Sequence, residues 1–117
     1  MSTGSNKRKI SEDASLAKGQ FAARQIEKDI AQLGDALLTL NTPEEALSFI
    51  KDICTPSEIR AIAERLEVAR LLDIGELSYR EIYEKTGVST TTVTRVARFL
   101  FHETHQGYRL VLDRLKD

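Results

Sequence analysis

Tryptophan is absent from this chain of 117 residues, and cysteine, methionine and proline are scarce, at one, one and two copies. The single Cys54 excludes an intramolecular disulfide and suits a reducing compartment, which points to the cytoplasm. Beside a helix cap it reads as a small apolar filler. No run approaches the ~20 apolar residues of a membrane span, and the first residues lack the apolar core of a secretory signal. Neither sign of charge is in excess: 17 Lys and Arg stand against 18 Asp and Glu, a formal net charge of −1. That balance excludes a nonspecific, charge-driven coat for a polyanion. Glycine-rich phosphate loops, nucleophile elbows and paired-carboxylate motifs are missing too, so the chain is not expected to be an enzyme. His102 and His105 flank a helix end with Glu103 between them. Two histidines fall short of the three or four convergent ligands a zinc site needs, and neither metal nor cofactor is expected.

What is present is helical periodicity. Hydrophobic residues make up 41% of the chain, enough for one domain with a core. The first 18 residues are polar, with the basic cluster Lys7-Arg8-Lys9, and suggest a flexible arm that is either a solubilising tail or a phosphate contact. Residues 19–117 would form the domain. From about Gln20, Ala22, Ile26, Ile30, Leu33, Leu37 and Leu40 recur every three or four positions and mark a long amphipathic helix. Thr42-Pro43 with Glu45, then Thr55-Pro56 with Glu58, carry the cap, the first-turn proline and the acid that start two further helices. The second of these places Ile59, Ile62, Ala63, Leu66, Ala69 and Leu72 on one stripe and stops near Gly75. At the C-terminal end, Gly107 breaks the chain and Tyr108, Val111, Leu112 and Leu115 stripe a last helix. Six helices with short connections and no convincing strand predict an all-α domain. A monomer of this size would be of modest stability, so helices buried between two chains are in keeping with it.

The segment from Leu77 to Phe99 is the most informative. Ser78 and Glu81 form a capping box, Gly87 closes the short helix they open, and Ser89 can cap a second helix from about Thr90 to His102. Val93, Val96 and Leu100 would face inward, leaving Thr90, Thr91, Thr94, Arg95 and Arg98 outside. This is the layout of a helix-turn-helix over about residues 79–102, whose second helix enters the DNA major groove. Charge is distributed accordingly. Residues 21–52 carry three basic against six acidic side chains, whereas residues 89–101 carry Arg95 and Arg98 and no acid. The expected DNA contacts are Arg80, Thr90, Thr91, Thr92 and Thr94, with Arg95 and Arg98 nearer the backbone; Thr92 is the residue that could also face inward. Arginine can bridge the acceptors of guanine, and threonine offers a hydroxyl to base or phosphate and a methyl to thymine. The alternative is a helical interaction module that uses the same face to dock a protein.

A resemblance then becomes specific. Thr55-Pro56, Arg65, Leu71-Leu72, Gly75-Glu76, Ser78, Arg80-Glu81, Gly87 and Thr92-Val93-Thr94-Arg95 together resemble the bacterial tryptophan repressor superfamily, and within it the YerC/YecD branch. The likeness covers roughly residues 20–117. It implies an intertwined homodimer on double-stranded, palindromic operator DNA, with two reading heads one DNA turn apart. It also implies a site for L-tryptophan between the central and recognition helices. By that resemblance Thr55 opens the central helix, Arg65 stacks beneath the indole and Arg95 holds the carboxylate. The sequence departs from the pattern where Val96 replaces a glycine and Phe99 replaces a small serine. Two added apolar groups would fill the slot, so L-tryptophan is not the expected ligand. Arg65 has a second reading as an ordinary surface or ion-paired helix residue, with Glu64 and Glu67 close by, and Arg95 has one as a phosphate or base contact.

Overall fold

The computed structural model describes the backbone of residues 3–116 and the side chains of residues 12–116. Six α-helices follow in order: α1 (Thr3–Leu37), α2 (Pro43–Ile53), α3 (Pro56–Ile74), α4 (Tyr79–Thr86), α5 (Thr90–Phe101) and α6 (Gly107–Lys116); no strand occurs among the described residues. The chain divides within α2 into two compact units, Met1–Ser48 and Phe49–Asp117.

In the first unit, α1 runs unbroken back to Thr3, so the helix start expected near Gln20 is corrected. The reason is local. Proline does not occur before Pro43, and Ile10, Ala14, Leu16, Ala17 and the neighbouring Lys, Arg and Glu residues are compatible with continued helix. The Lys7-Arg8-Lys9 cluster lies outside the residues whose side chains are described. Thr42 accepts the Glu45 N–H at 3.2 Å, while the Glu45 carboxylate reaches one residue further back than a capping box would, to the Asn41 N–H at 3.1 Å.

In the second unit the capping boxes are complete. Thr55 accepts from Glu58 N–H and Glu58 from Thr55 N–H; Ser78 and Glu81 repeat the arrangement. Each carboxylate accepts the N-cap's backbone N–H, and that bond first, then the neighbouring cap hydroxyl, holds it below its ordinary pKa. Gly75 and Gly87 end α3 and α4 with φ of +78° and +76°, the left-handed conformation a Cβ disfavours. Between α5 and α6 the left-handed residue is Gln106, at φ +55°, and Gly107 instead begins α6. The chain break assigned to Gly107 is therefore corrected by one residue.

The core lies where α3, α4, α5 and α6 meet. Val68, Ala69, Leu71 and Leu72 of α3, Ile82 of α4, Val88 of the turn, Val93, Val96, Ala97 and Leu100 of α5, and Leu112 of α6 are all buried. Each large side chain so enclosed contributes about 1.5–3 kcal/mol by its removal from water. The stripe expected along α3 is only half realised: Ala69 and Leu72 are buried, but Ile62 is 54% exposed and Leu66 38%. The buried row instead runs along the C-terminal half of α3, where α5 crosses it. Leu112 anchors α6, while Val111 and Leu115 stay exposed.

An ionic cluster fastens α6 to α3. Asp73 accepts from Lys116 at 2.8 Å and from Arg109 at 2.7 Å, and Arg109 also reaches Asp113 at 3.4 Å. Lys116 first and Arg109 second hold the Asp73 carboxyl below its ordinary pKa. A depressed carboxylate pKa contributes stability that is complete above the unfolded value, about 3.9 for Asp, and is lost as pH falls through the lower folded value. Asp73→Asn is expected to lower the urea midpoint near neutral pH and to close the gap to the wild-type chain on acidification; a gap independent of pH would contradict this assignment.

Candidate nucleic-acid interface

α4 and α5 are joined by Gly87, Val88 and Ser89, and they pack on each other through Ile82, Val88 and Val93. The left-handed Gly87 reverses the chain, and Thr86 fixes the turn by donating its hydroxyl to Ile82 C=O at 2.7 Å while accepting Val88 N–H at 3.1 Å. Ser89 caps α5, accepting from Thr92 N–H at 3.2 Å. Val93, Val96, Ala97 and Leu100 point into the core, and the periodicity of 3.6 residues per turn forces the intervening positions outward.

The outward positions are those the sequence indicates. Thr90, Thr91, Thr94, Arg95 and Arg98 are exposed, as is Arg80 on α4. Thr90, Thr94 and Arg98 recur every four residues and form one row along α5. Thr92 departs from this set: it is half-buried, and its hydroxyl accepts from the Ser89 hydroxyl at 3.1 Å. That bond makes it part of the cap. Thr94 donates its own hydroxyl to Thr90 C=O at 2.9 Å, leaving its methyl and oxygen lone pairs free. Two of the arginines carry intramolecular partners, Glu84 for Arg80 at 3.3 Å and Glu103 for Arg98 at 2.7 Å. Arg95 lies over the Phe99 ring, its guanidinium carbon 4.7 Å from the ring centre.

A cavity of about 520 Å³ opens beside this face, lined on α3 by Ile62, Arg65 and Leu66, on α5 by Phe99, and beyond it by His105, Gly107, Tyr108 and Val111. Of the five residues expected around a filled slot, Arg65 and Phe99 line it. Thr55 is spent as the α3 cap, and Arg95 is drawn onto Phe99. Val96 is 2% exposed and belongs to the core, on the inward side of α5 where its spacing puts it, and it is not among the lining residues. Nor does Phe99 close the space; half-buried, it forms a wall, stacked on His105 with ring centres 6.1 Å apart and planes 9° from parallel. Arg65 is exposed, and its neighbours Glu64 and Glu67 pair with Arg60 at 3.4 Å and Arg70 at 2.8 Å and not with it, so of its second reading the ordinary surface residue agrees with the structure. His105 and Tyr108 were not singled out from sequence as lining residues. The Tyr108 stripe on α6 was the available signal, but nothing in spacing joins it to Arg65. Among the described residues no three His, Cys, Asp or Glu side chains converge as metal ligands, and no helix is long and apolar enough to cross a membrane.

The family model of the Trp repressor protein matches residues 28–116. This chain belongs to the Trp repressor family. It is 42% identical over 90 residues to the uncharacterized protein YerC of Bacillus subtilis (strain 168), spanning 77% of this chain and 85% of that one. A TrpR-like protein from Eubacterium eligens ATCC 27750 shares the fold with a TM-score of 0.67 and 40% identity, over 76% of this chain and 90% of that one. A candidate Trp repressor from Staphylococcus aureus gives a TM-score of 0.68 and 38% identity, over 79% and 94%. The Thr-Arg face is thus presented by a helix of a Trp repressor-like, all-α fold, and Ser89 is the residue that starts that helix. Ser89→Ala is expected to cost about 1 kcal/mol, the usual loss for an N-cap, read as a lowered melting temperature by circular dichroism. An unchanged melting temperature would remove the cap from the account of α5.

Proposed function

We propose that this Trp repressor family member is a sequence-specific, DNA-binding transcriptional regulator that acts as an intertwined homodimer on palindromic operator DNA and does not respond to tryptophan. The observation that carries the reading is the outward face of α5. Thr90, Thr91, Thr94, Arg95 and Arg98 are exposed on a helix without a single acid, held by a turn and a core that fix which way they point. Hydroxyls, methyls and guanidinium groups are the groups that read base edges and grip phosphates. Support for a dimer comes from α1, where Phe21, Ile26, Ile30, Leu33 and Leu37 are all exposed, Phe21 at 70%. Apolar area of that extent on a small chain is what a second chain would cover. Two such units would set the reading heads about one DNA turn, or ~34 Å, apart. The cytoplasm is the compartment consistent with this role.

Support for independence from tryptophan is the position of Arg95. The arginine that the family resemblance assigns to the ligand carboxylate lies on the Phe99 ring and does not line the cavity. Adding L-tryptophan to millimolar concentration is expected to leave the melting temperature unchanged. Because the chain has no tryptophan of its own, added indole is the only such emitter, and an emission shift or a raised melting temperature would overturn this part of the proposal.

Selection from random duplexes is expected to enrich palindromic half-sites; no enrichment, with a protein captured instead, would favour the docking alternative. On the enriched operator, Arg80→Ala is expected to cost about 1–3 kcal/mol if the guanidinium bridges a guanine, with relaxed preference at one base position. Equal affinity of variant and wild-type protein would exclude Arg80 from the interface.

A further inference from the structure

The acid-free character of α5 is incomplete in three dimensions, because a carboxylate from outside the helix folds back onto it. Glu103 lies in the turn after α5, and its Oε1 accepts from Arg98 Nε at 2.7 Å. A five-residue separation is not the spacing of neighbours on a helix face, so the contact depends on the chain reversing after Phe101. That reversal is well fixed. Glu103 N–H donates to Arg98 C=O at 3.0 Å, and Glu103 C=O accepts from the Gln106 side-chain amide at 2.6 Å. Gln106 itself holds the left-handed conformation that the turn needs. The Glu103 side chain is 28% exposed, against 70% for Arg98, so the acid is the seated partner and the arginine the exposed one. Arg80 and Glu84 differ in kind: they are an ordinary pair one helical turn apart, both largely exposed.

We propose that Glu103 is an intramolecular competitor for phosphate, occupying Arg98 in the DNA-free protein and lowering its affinity for DNA of random sequence. This rests on the DNA-binding reading above. Affinity for random duplex is carried almost wholly by cations that displace counterions from phosphates, so one guanidinium already neutralised by its own chain contributes less to it. A specific site, with base contacts from the Thr90 and Thr94 row, supplies enough additional interaction to draw Arg98 away. Glu103 would thus widen the ratio between operator and random DNA without touching a base.

A double-mutant cycle on the full chain tests this, with Glu103→Gln made alone and in an Arg98→Gln background, and with melting temperatures measured for all four proteins. Glu103→Gln keeps the hydrogen-bonding shape and removes the charge. It is expected to bind random duplex roughly three- to tenfold more tightly, with the slope of log affinity against log salt steeper by about one phosphate's worth, ~0.9. The gain should disappear in the Arg98→Gln background. Unchanged affinity on Glu103→Gln, or the same gain with and without Arg98, overturns the proposal, the latter showing simple repulsion of phosphate. Failure of the wild-type protein to bind any duplex strikes a different target, the DNA-binding reading itself.

Discussion

Val93, Val96, Ala97 and Leu100 occupy one side of α5, and they are buried with Val68, Leu71 and Leu72 of α3 and Ile82 of α4. Everything offered to solvent by α5 follows from that contact. A helix turns 100° per residue, so rotating α5 by one position would bring Thr94 and Arg98 into the buried places of Val93 and Ala97 and send Val96 into the exposed place of Arg95. Burying an unpaired guanidinium or hydroxyl costs several kcal/mol, and the lost burial of valine adds to it. The orientation of the proposed DNA face is therefore enforced from behind. Gly87 and Ser89 complete the constraint by fixing where the helix begins.

Phe99 sits at the edge between the two faces, which explains why it neither joins the core nor fills the adjoining cavity. One side of the cavity is its ring, stacked on His105, while Arg95 rests on it. An aromatic ring near both a guanidinium of its own helix and an imidazole of the following turn links α5 to the turn that precedes α6. A cation over a ring at such a partly exposed site contributes about 0.5–1 kcal/mol. That is small against the core burial but directed at the same object, the setting of α5. The cavity that remains has Arg65 as its one permanently charged wall and otherwise apolar or aromatic surroundings.

Much of this was legible in the sequence because the signals are local. Thr55-Pro56 with Glu58, Ser78 with Glu81, Gly75, Gly87 and Ser89 each act within four residues, and the helix boundaries they imply coincide with the structure from α3 to α5. The inward row of α5 was visible for the same reason. What was not legible depends on crossing points. Periodicity says that Ile62 and Leu72 lie on apolar stripes of α3 but not where along α3 the α5 helix crosses, and that crossing buries Leu72 and leaves Ile62 exposed. Val96 was read from its spacing as facing inward and lies in the core, whereas the slot beside it was inferred from likeness to the family, which spacing alone does not locate. The start of α1 escaped because polar composition was read as disorder, although lysine, arginine, glutamate and alanine propagate a helix once a strong segment such as residues 26–37 exists.

The net charge of −1 is hard to reconcile with a protein that holds DNA by charge alone, and it fits one that discriminates. Steering by a uniformly positive surface accelerates encounters with every sequence equally, since phosphates carry no sequence information. Here the arginines are few and two of them, Arg80 and Arg98, have carboxylates of their own. Beside Arg95, the outward groups in the first half of α5 are the threonines Thr90, Thr91 and Thr94, whose hydroxyls and methyls gain only when the matching base edge is opposite them. On the proposed reading, such a face would bind nonspecific DNA weakly and have most of its affinity conditional on correct contacts. On that reading, charge placement and threonine composition work in the same direction: Glu103 reduces the part of binding that every duplex offers, and the threonine row supplies the part that few do.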